Sequence, residues 1–371
     1  MAEKRPTVYD VAERAGVSIA TVSHSFRRPE RIRPETRELV LTAARELGYV
    51  PSGAARSLAH GSTGALGLHL FDLLLPQREA DVPGTGSDTE LLSSIVSAAR
   101  AESAPAWFAA ADRADHDPRV FPLYVDEIQR GFVIECRDRD RPVVLSQGST
   151  DQSDVANTVG RVDGLAIFPG RSSADQLIDI LGDRPVVLFS SRPDPRTAQV
   201  NSDNRSGMRQ IVEHLATVHG ARSLGWVGET AGQFDFAERF QAFTDAVAAR
   251  GDLDMRVIDA HSLDDDPTLR GVEDAVRRGD LPDAFVCGSD QSALVALDTL
   301  QAAGVRVPQD VRVTGFDDVL AAQLCRPALT TVRQQFELMG RVAAHLLISE
   351  PAAKLTVTLG VSLTVRGSCG C

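Results

Sequence analysis

The pattern of apolar and polar residues predicts a short amphipathic helix near the start of the chain. Apolar residues recur at helical spacing across residues 8–15, and Gly16 follows where helices commonly end on a left-handed residue. Thr7 is suited to cap this helix, and Asp10 lies three residues further on, as in a capping box. We therefore predict a capped helix that stops sharply at Gly16.

Two more helices are predicted directly after it. Ser18 is suited to cap a second helix that runs to about Phe26, with Val22 facing inward. A third helix begins near Pro34, a residue favoured in the first helical turn, and ends at Gly48. Its predicted buried stripe consists of Leu39, Val40, Ala43, Ala44 and Leu47. The first two helices have the spacing of a helix-turn-helix, whose second helix enters the major groove of DNA, although an ordinary αα-hairpin has the same spacing.

Beyond residue 60, short apolar runs alternate with helical stretches. Strands separated by helices predict an α/β body with two doubly wound lobes of parallel sheet. Ligands bind such sheets at the carboxyl ends of the strands, which places a cleft between the lobes. The predicted strands lie in residues 65–71, 141–147, 163–169, 184–190, 223–229, 256–260, 283–289 and 311–316.

Charge is divided unevenly between these two parts. Residues 1–60 contain ten Lys and Arg against seven Asp and Glu, a net charge of +3, whereas the other 311 residues contain 29 against 44, a net charge of −15. A basic segment joined to an acidic body is expected of a nucleic-acid-binding module attached to another domain. The distribution of charge favours the helix-turn-helix over the simple hairpin.

Several motifs carry a more specific pattern. Residues 6–60 include VYDVAERAGVSIATVS and RPETRELVLTAARELGYVPSGAARSL. Farther on the chain contains VDGLAIFPG, NSDNRSGMRQIVEHL, DAFVCGSDQSALVALDTL and PALTTVRQQFELMG. Together these stretches resemble the LacI/GalR family of bacterial transcription regulators over most of the chain.

The resemblance implies an all-α helix-turn-helix head at residues 1–60, with a hinge helix at about 51–60. It implies an effector-binding and dimerisation body at 61–371, with two α/β lobes of the periplasmic-binding-protein-like type. Each head of a homodimer would bind one half-site of a near-palindromic double-stranded DNA operator, and effector binding would close the lobes and change the DNA affinity. No heptad helix follows the strand-like residues 354–367, which argues against a coiled-coil tetramer.

The predicted DNA-binding residues lie on the head and the hinge. Ile19 and Ala20 face outward at the start of the second helix and suit contact with thymine methyl groups. His24 stands where the family most often has Arg, and it offers one good donor to the guanine edge where Arg offers two; a phosphate contact is the alternative. Leu58 matches the family's wedge leucine, which enters the minor groove, and a core role is its alternative. The full set is Thr7, Tyr9, Ser18, Ile19, Ala20, Thr21, Ser23, His24, Arg27, Arg31, Arg33, Ala55 and Leu58.

The chain departs most from the family after its first predicted strand. We place an insertion at about residues 73–118, because EIQRGF, farther on, matches the helix that the family has next. In the alternative, TELLSSIVSAARAESAPAWFAA forms the family's helix and strand, and the later stretch is the addition. The two alignments assign different residues to the first-lobe face of the cleft.

The resemblance also suggests an effector site. Arg239 falls where the family has an arginine that binds effector oxygens, and Asp290 falls at an acidic position that accepts hydrogen bonds from ligands; a surface or helix-capping charge is the alternative for each. Ser190 stands where Asp is common, Arg192 keeps a frequent arginine, and Tyr124 would stack on a sugar ring. A guanidinium and a carboxylate together suit a hydroxyl-rich molecule. We expect a sugar or sugar derivative as effector, with a nucleoside second and loss of ligand response third.

Other classes of protein are disfavoured by the sequence. No apolar run approaches the roughly 18 residues of a membrane span, and the first residues lack the apolar core of a signal peptide. Five scattered cysteines fit a reducing compartment, so we expect a cytoplasmic protein with no membrane partner. No motif pairs a nucleophile with a base, so we expect no enzymatic activity and no cofactor.

Cys369 and Cys371 are the closest pair of cysteines in the sequence. They could bind a soft metal or be redox-active, but two thiols alone do not make a site. The sequence therefore predicts an unstructured tail and no metal site.

The sequence as a whole predicts a ligand-responsive transcription regulator, a repressor that binds DNA as a homodimer. The main alternative is a cytoplasmic small-molecule-binding protein, for a sugar, whose DNA-binding head is vestigial. An enzyme fused to a DNA-binding head is a third possibility, which no catalytic motif supports.

Overall fold

A computed structural model describes residues 6–27, 29–49, 62–71, 123–148, 152–169, 178–179, 181–182, 184–261, 268–350, 352 and 354–371. The chain divides into two compact units, Met1–Gly64 and Ala65–Cys371, which we call the head and the body. The hinge helix predicted at about 51–60 and the insertion predicted at about 73–118 lie outside the described residues.

The described residues of the head form three α-helices around one small hydrophobic core. They are α1 (Val8–Ala15), α2 (Ile19–Arg27) and α3 (Pro34–Leu47), with a 3₁₀ turn at Pro29–Arg31. The buried members of the core are Val11, Ala12, Val22, Val40, Ala43 and Ala44.

The prediction that Leu39 is buried is wrong, because 60% of this side chain is exposed. Val40 begins the series i, i+3, i+4 and i+7 that faces α1 and α2, and Leu39 is rotated about 100° away from that series. An ion pair between Arg14 of α1 and Glu46 of α3, 2.7 Å apart, closes the outer edge of the same helix contact.

The body begins with a set of parallel strands and their connecting helices. The elements are β1 (Leu66–Phe71), α4 (Val125–Asp138), β2 (Val143–Gly148), α5 (Gln152–Val159), β3 (Gly164–Phe168), β4 (Val186–Phe189) and β5 (Ala198–Ser202). Helix α4 leads directly into β2, and β2 pairs in parallel with β1. The helix therefore precedes a strand that lies next to β1 in the same sheet.

A second set of strands and helices follows without a break. The elements are α6 (Asn204–Val218), β6 (Ser223–Val227), α7 (Phe234–Arg250), β7 (Asp254–Asp259), α8 (Arg270–Arg278), β8 (Ala284–Cys287), α9 (Asp290–Ala302), β9 (Arg312–Thr314) and α10 (Leu320–Leu324). The remaining elements are β10 (Thr331–Arg333), α11 (Phe336–Ser349), β11 (Thr356–Leu359) and β12 (Ser362–Thr364).

Within the described part of the body, the strands form two parallel sheets and one short antiparallel pair. The first sheet has the order β11-β5-β4-β3-β1-β2, so that α11 and β11 return from late in the chain to complete it. The second sheet has the order β7-β6-β8-β9, and β10 pairs with β12 in antiparallel fashion. Each parallel sheet has a hydrophobic core on both faces, as expected of doubly wound lobes.

The prediction of an unstructured tail is wrong. Residues Gly367–Cys369 form a 3₁₀ turn, and the Cys369 side chain is fully buried. The Ser368 hydroxyl donates to the Val313 carbonyl at 2.6 Å and accepts from the Thr330 amide at 2.8 Å. These bonds tie the tail to β9 and to the residue before β10, which is why it is ordered.

Candidate nucleic-acid interface and ligand site

The turn between α1 and α2 is fixed by local hydrogen bonds. Asp10 Oδ2 accepts from the backbone N–H of Thr7 at 2.6 Å and from its hydroxyl at 2.7 Å, which holds the start of α1. Gly16 has φ of 64°, a left-handed conformation that costs a glycine little, and the Val17 N–H then bonds back to the Ala12 carbonyl at 3.0 Å. The exit of the chain from α1 is therefore set by the left-handed Gly16 and the backbone bond that follows it.

Helix α2 presents a small outward face. Ser18 Oγ accepts from the Thr21 N–H at 3.1 Å and so caps the helix, while Val22 is fully buried against α1 and α3. Ile19 is 41% exposed and Ala20 is also exposed. The first turn of α2 is thus available to a partner while its opposite side is anchored in the core.

The other predicted DNA-binding residues of the head are also accessible where they are described. Tyr9 is 67% exposed, and Arg31 and Arg33 follow α2 as exposed cations that suit phosphate contacts. Arg27 ends α2, but its side chain is not described, and Ala55 and Leu58 lie outside the described residues. Of the remaining set, Thr7, Ser18, Ile19 and Ala20 are exposed, and Thr21, Ser23 and His24 are half-buried.

In the body, Arg239 lies on α7 and is almost completely buried, with 4% of the residue exposed. Its Nε donates to Asn204 Oδ1 at 2.9 Å, and one terminal nitrogen donates to the Gly288 carbonyl at 2.8 Å. That nitrogen also lies 3.4 Å from a carboxylate oxygen of Asp317, and the guanidinium lies 4.1 Å from the centre of the Phe316 ring. The guanidinium is therefore a desolvated charge with an acidic partner, rather than a surface charge.

Asp290, the first residue of α9, is fully buried. Its two oxygens accept hydrogen bonds from the Thr331 hydroxyl at 2.5 Å and from the Val319 N–H at 3.0 Å. Burial raises the pKa of the Asp290 carboxyl above its ordinary range, and the charge of Asp317 raises it further. In this conformation Asp290 organises the segment around Val319 and has no surface open to solvent.

The polar network around Arg239 is not predicted by the sequence. Asn204 donates to Asp235 at 3.0 Å and to Glu238 at 2.8 Å, and Asp317 accepts from Gln334 at 2.6 Å. These residues come from α6, α7 and two loops that are distant in sequence. Asn204, inside NSDNRSG, and Gln334, inside PALTTVRQQFELMG, lie in stretches that carry the family resemblance, but those stretches do not show which residues meet in the fold.

Tyr124 and Ser190 lie beside the first sheet, Tyr124 directly before α4 and Ser190 directly after β4. The Tyr124 ring lies at the start of α4 and stacks on Phe336, with ring centres 5.0 Å apart and planes at 16°, so one face of the ring is covered. It packs against hydrophobic clusters of both sheets. Ser190 directly follows β4 with φ of 49°, and Arg192, two residues on, is exposed. Ser190 and Arg192 therefore lie beyond the carboxyl end of β4, at the edge of a parallel sheet where ligands bind in such folds.

Comparison with known proteins places the chain in a family. Residues 7–52 match the family described as bacterial regulatory proteins, lacI family, and residues 212–369 match the periplasmic binding protein-like domain. The HTH-type transcriptional regulator CelR of Thermobifida fusca is 28% identical over 384 residues, covering 98% of each chain. This protein belongs to the lacI family.

Other relatives of this lacI-family protein agree with that assignment. The HTH-type transcriptional repressor MelR of Bacillus subtilis is 27% identical over 382 residues, 98% of this chain and 97% of the relative. The Lac repressor dimer bound to operator and the anti-inducer ONPF has the same fold, with a TM-score of 0.72 at 22% identity over 99% of both chains. The CelR–cellobiose complex has a TM-score of 0.59 at 25% identity, over 98% of this chain and 100% of the other.

The family assignment confirms the predicted fold class, the helix-turn-helix head and the periplasmic-binding-protein-like body. This lacI-family protein is a DNA-binding transcriptional regulator with an effector-binding body. The relatives named above are regulators of transcription rather than enzymes. Within the part of the chain that the structure describes, no helix combines the length and apolar character that crossing a membrane requires.

Proposed function

We propose that this protein is a cytoplasmic repressor that binds a near-palindromic operator as a homodimer and changes its DNA affinity when a small molecule binds the body. The observation that carries the proposal is the first turn of α2, where Ile19 and Ala20 are exposed above a rigid core. A surface of this size fits the major groove, and a fixed core keeps it in one orientation.

The proposed DNA contacts divide by chemistry. Ile19 and Ala20 contact base edges, while Arg31 and Arg33 contact phosphates and fix the register of the head. A Lac repressor dimer has been crystallised on its operator, and two-fold symmetry of a dimer requires two half-sites of opposite direction. We extend that arrangement to this chain as part of the proposal.

Selection of binding sites from random double-stranded DNA with the full-length protein tests this function. We expect enrichment of an inverted repeat, bound far more tightly than unrelated DNA at the same salt concentration. Binding without sequence preference, and lost steeply as salt rises, would instead indicate a small-molecule-binding protein with a vestigial head.

His24→Arg is expected to change the preferred base at one symmetric pair of operator positions. Arg can bond to guanine O6 and N7 together, whereas His supplies one donor, so the new preference should be worth about 1–3 kcal/mol per half-site. The measurement is the selected site of the variant compared with that of the wild type.

Arg31→Gln is the matched control for the His24 experiment. An exposed cation that contacts phosphate should weaken binding to all sequences about equally and lower the salt dependence by about one counterion. If His24→Arg behaves in the same way, with an unchanged selected site, then His24 contacts the backbone and does not specify a base.

For the effector, we propose a sugar or sugar derivative bound at the carboxyl ends of the strands, with Arg239 as a central donor. The network of Arg239, Asn204, Asp235 and Asp317 offers a planar set of donors beside several acceptors, which suits a ligand with many hydroxyl groups. A relative, CelR, has been crystallised with cellobiose, and we carry that ligand class to this chain as a proposal. Asp290 contacts the effector only if closure of the lobes exchanges its Thr331 or Val319 bond for a ligand hydroxyl.

A thermal-shift screen of the full-length protein against sugars and nucleosides is expected to find the effector. A ligand at 100 times its dissociation constant adds about 2.7 kcal/mol to the stability of the folded protein. The stabilisation should disappear in Arg239→Lys, which keeps the charge but loses the planar fork, and remain in the exposed control Arg205→Lys. Equal stabilisation of both variants would show that the ligand binds elsewhere.

A further inference from the structure

Two histidines and two cysteines meet at one place on the second lobe. His214 lies near the carboxyl end of α6 and His219 directly follows that helix, while Cys369 and Cys371 belong to the tail. His214 Nε2 lies 3.2 Å from His219 Nε2 and 3.5 Å from Cys369 Sγ. Cys371 Sγ lies 3.4 Å from His219 Nε2 and 3.8 Å from His214 Nε2. All four ligand atoms lie within 4.8 Å of one another.

The four separations of 3.2–3.8 Å are close to the edges of a tetrahedral metal site. Around a zinc ion with bonds of about 2.0–2.3 Å, neighbouring nitrogen and sulfur ligands are about 3.3–3.8 Å apart. We propose that His214, His219, Cys369 and Cys371 form a structural zinc-binding site, which we call the tail site. It lies outside the residues that we assign to DNA or effector binding.

The fold holds the ligands in place through neighbouring polar groups. The Thr330 hydroxyl donates to Cys369 Sγ at 3.1 Å, and Arg312 Nε donates to the Cys369 carbonyl at 3.0 Å. Bonds of this kind orient metal ligands and stabilise a thiolate. Cys369 is buried and Cys371 is exposed, so the site has an inner anchor and an open side through which an ion can enter.

The ligand chemistry selects zinc over the hard cations. Sulfur and imidazole nitrogen favour Zn²⁺, whereas Mg²⁺ and Ca²⁺ require oxygen ligands. Binding releases one proton from each thiol to solvent, so two thiolates and two neutral imidazoles neutralise the charge of the ion. With four protein ligands the ion has no open position, and its effect is to fasten the tail to α6.

Two other arrangements explain the same proximity. The four groups can form only a hydrogen-bonded cluster, or Cys369 and Cys371 can form a disulfide. The separations favour the metal, because four of the pairs of ligand atoms lie 3.2–3.8 Å apart, near the edge of a zinc tetrahedron, and all of them lie within 4.8 Å. Metal analysis, cobalt spectra and mass spectrometry separate a metal site from a hydrogen-bonded cluster and from a disulfide.

The full-length protein is purified under reducing conditions without added chelator, and its metal content is measured. We expect one zinc ion per chain, and replacement by Co²⁺ should give the strong visible absorption and the thiolate-to-metal bands of a tetrahedral site. Removing the ion with a chelator should lower the melting temperature by about 3–8 °C, and added Zn²⁺ should restore it. These measurements use neither DNA nor effector, so they do not depend on the proposed function.

Cys371→Ser and His219→Gln are expected to lose the zinc ion and the cobalt spectrum, and to melt like the metal-free wild type. Cys325→Ser and His345→Gln change a half-buried thiol and a surface histidine elsewhere, and should keep both signals. The proposal is overturned if the fully reduced wild type binds neither Zn²⁺ nor Co²⁺, which is the result expected if the four groups form only a hydrogen-bonded cluster. It is also overturned if mass spectrometry finds a disulfide between Cys369 and Cys371, or if both tail-site variants retain metal.

Discussion

Arg239→Met is expected to destabilise the body by about 3–5 kcal/mol at neutral pH, because it removes one partner of a buried ion pair. The substitution keeps much of the side-chain volume but leaves Asp317, which is 5% exposed, without its cation. It also removes the donors to Asn204 and to the Gly288 carbonyl. Chemical unfolding followed by circular dichroism measures the loss.

The loss should grow as the pH rises. Burial raises the pKa of Asp317 to about 6, although the charge of Arg239 acts to lower it. The folded protein therefore binds this proton more tightly than the unfolded chain, whose Asp has a pKa of about 3.9, so the contribution of Asp317 to stability falls as the pH rises from about 3.9 to about 6. Without Arg239 the pKa in the folded state rises further, so the fall continues to higher pH by about 1.4 kcal/mol for each added pKa unit.

Two variants separate the charge effect from lost packing. Arg239→Met combined with Asp317→Asn should recover part of the stability and remove the added pH dependence, since the buried charge of Asp317 is removed together with its cation. Arg205→Met removes an arginine that is 65% exposed and paired at 3.6–3.9 Å, and should change the stability by less than about 0.5 kcal/mol. A pH-independent cost in Arg239→Met would show that Asp317 does not depend on this cation.

The elements that were predicted from the sequence are those with a periodic apolar pattern. All eight apolar runs overlap strands of the two sheets, and the three head helices begin and end close to the predicted residues. Strand β5 was missed because it carries Gln199 and Asn201 in its interior. Both are buried and bonded, Gln199 to Thr197 at 2.7 Å and Asn201 to the Ser191 carbonyl at 2.8 Å. A buried strand can therefore carry polar side chains when residues outside the strand accept their hydrogen bonds. Such a strand lacks the run of apolar residues by which the others were predicted.

The two polar clusters of the second lobe escaped prediction for a related reason. Arg239 could be assigned from its motif, but its neighbour Asp317 is joined to it only through the fold. Two tail cysteines alone do not make a site, and the two histidines that lie beside them in the fold are far away in sequence, near the end of α6. Contacts of this kind depend on how sheets and helices pack, which a single sequence does not reveal.

The first lobe depends on an unusually close contact between two helices. Gly131 of α4 and Gly340 of α11 let the two backbones meet, since a Cβ on Gly340 would lie 2.0 Å from the Ile128 carbonyl oxygen. A Cβ on Gly131 would lie 1.9 Å from the Glu337 carbonyl oxygen. Backbone atoms inside helices cannot turn aside as a flexible side chain can, so any side chain at these positions must push the helices apart.

Gly340→Ala is therefore expected to destabilise the protein by about 1–3 kcal/mol or more, the range for an overpacked core. Alanine is favoured over glycine in a helix by about 1 kcal/mol, so a variant without the clash would be more stable than the wild type. The sign of the change thus decides whether the close contact exists. The melting temperature and the denaturant midpoint of Gly340→Ala and Gly131→Ala measure it.

Gly160→Ala is the matched control, because its added Cβ would meet no atom closer than 3.9 Å and its φ is not left-handed. We expect its stability to lie within about 0.5 kcal/mol of the wild type. The double variant Gly131→Ala and Gly340→Ala should cost less than the sum of the single changes, because once the helices have separated for one methyl group the second finds more room. If instead both single variants are as stable as the control, α4 and α11 pack farther apart in solution than this contact requires, and α11 would then hold the first lobe through its apolar side chains alone.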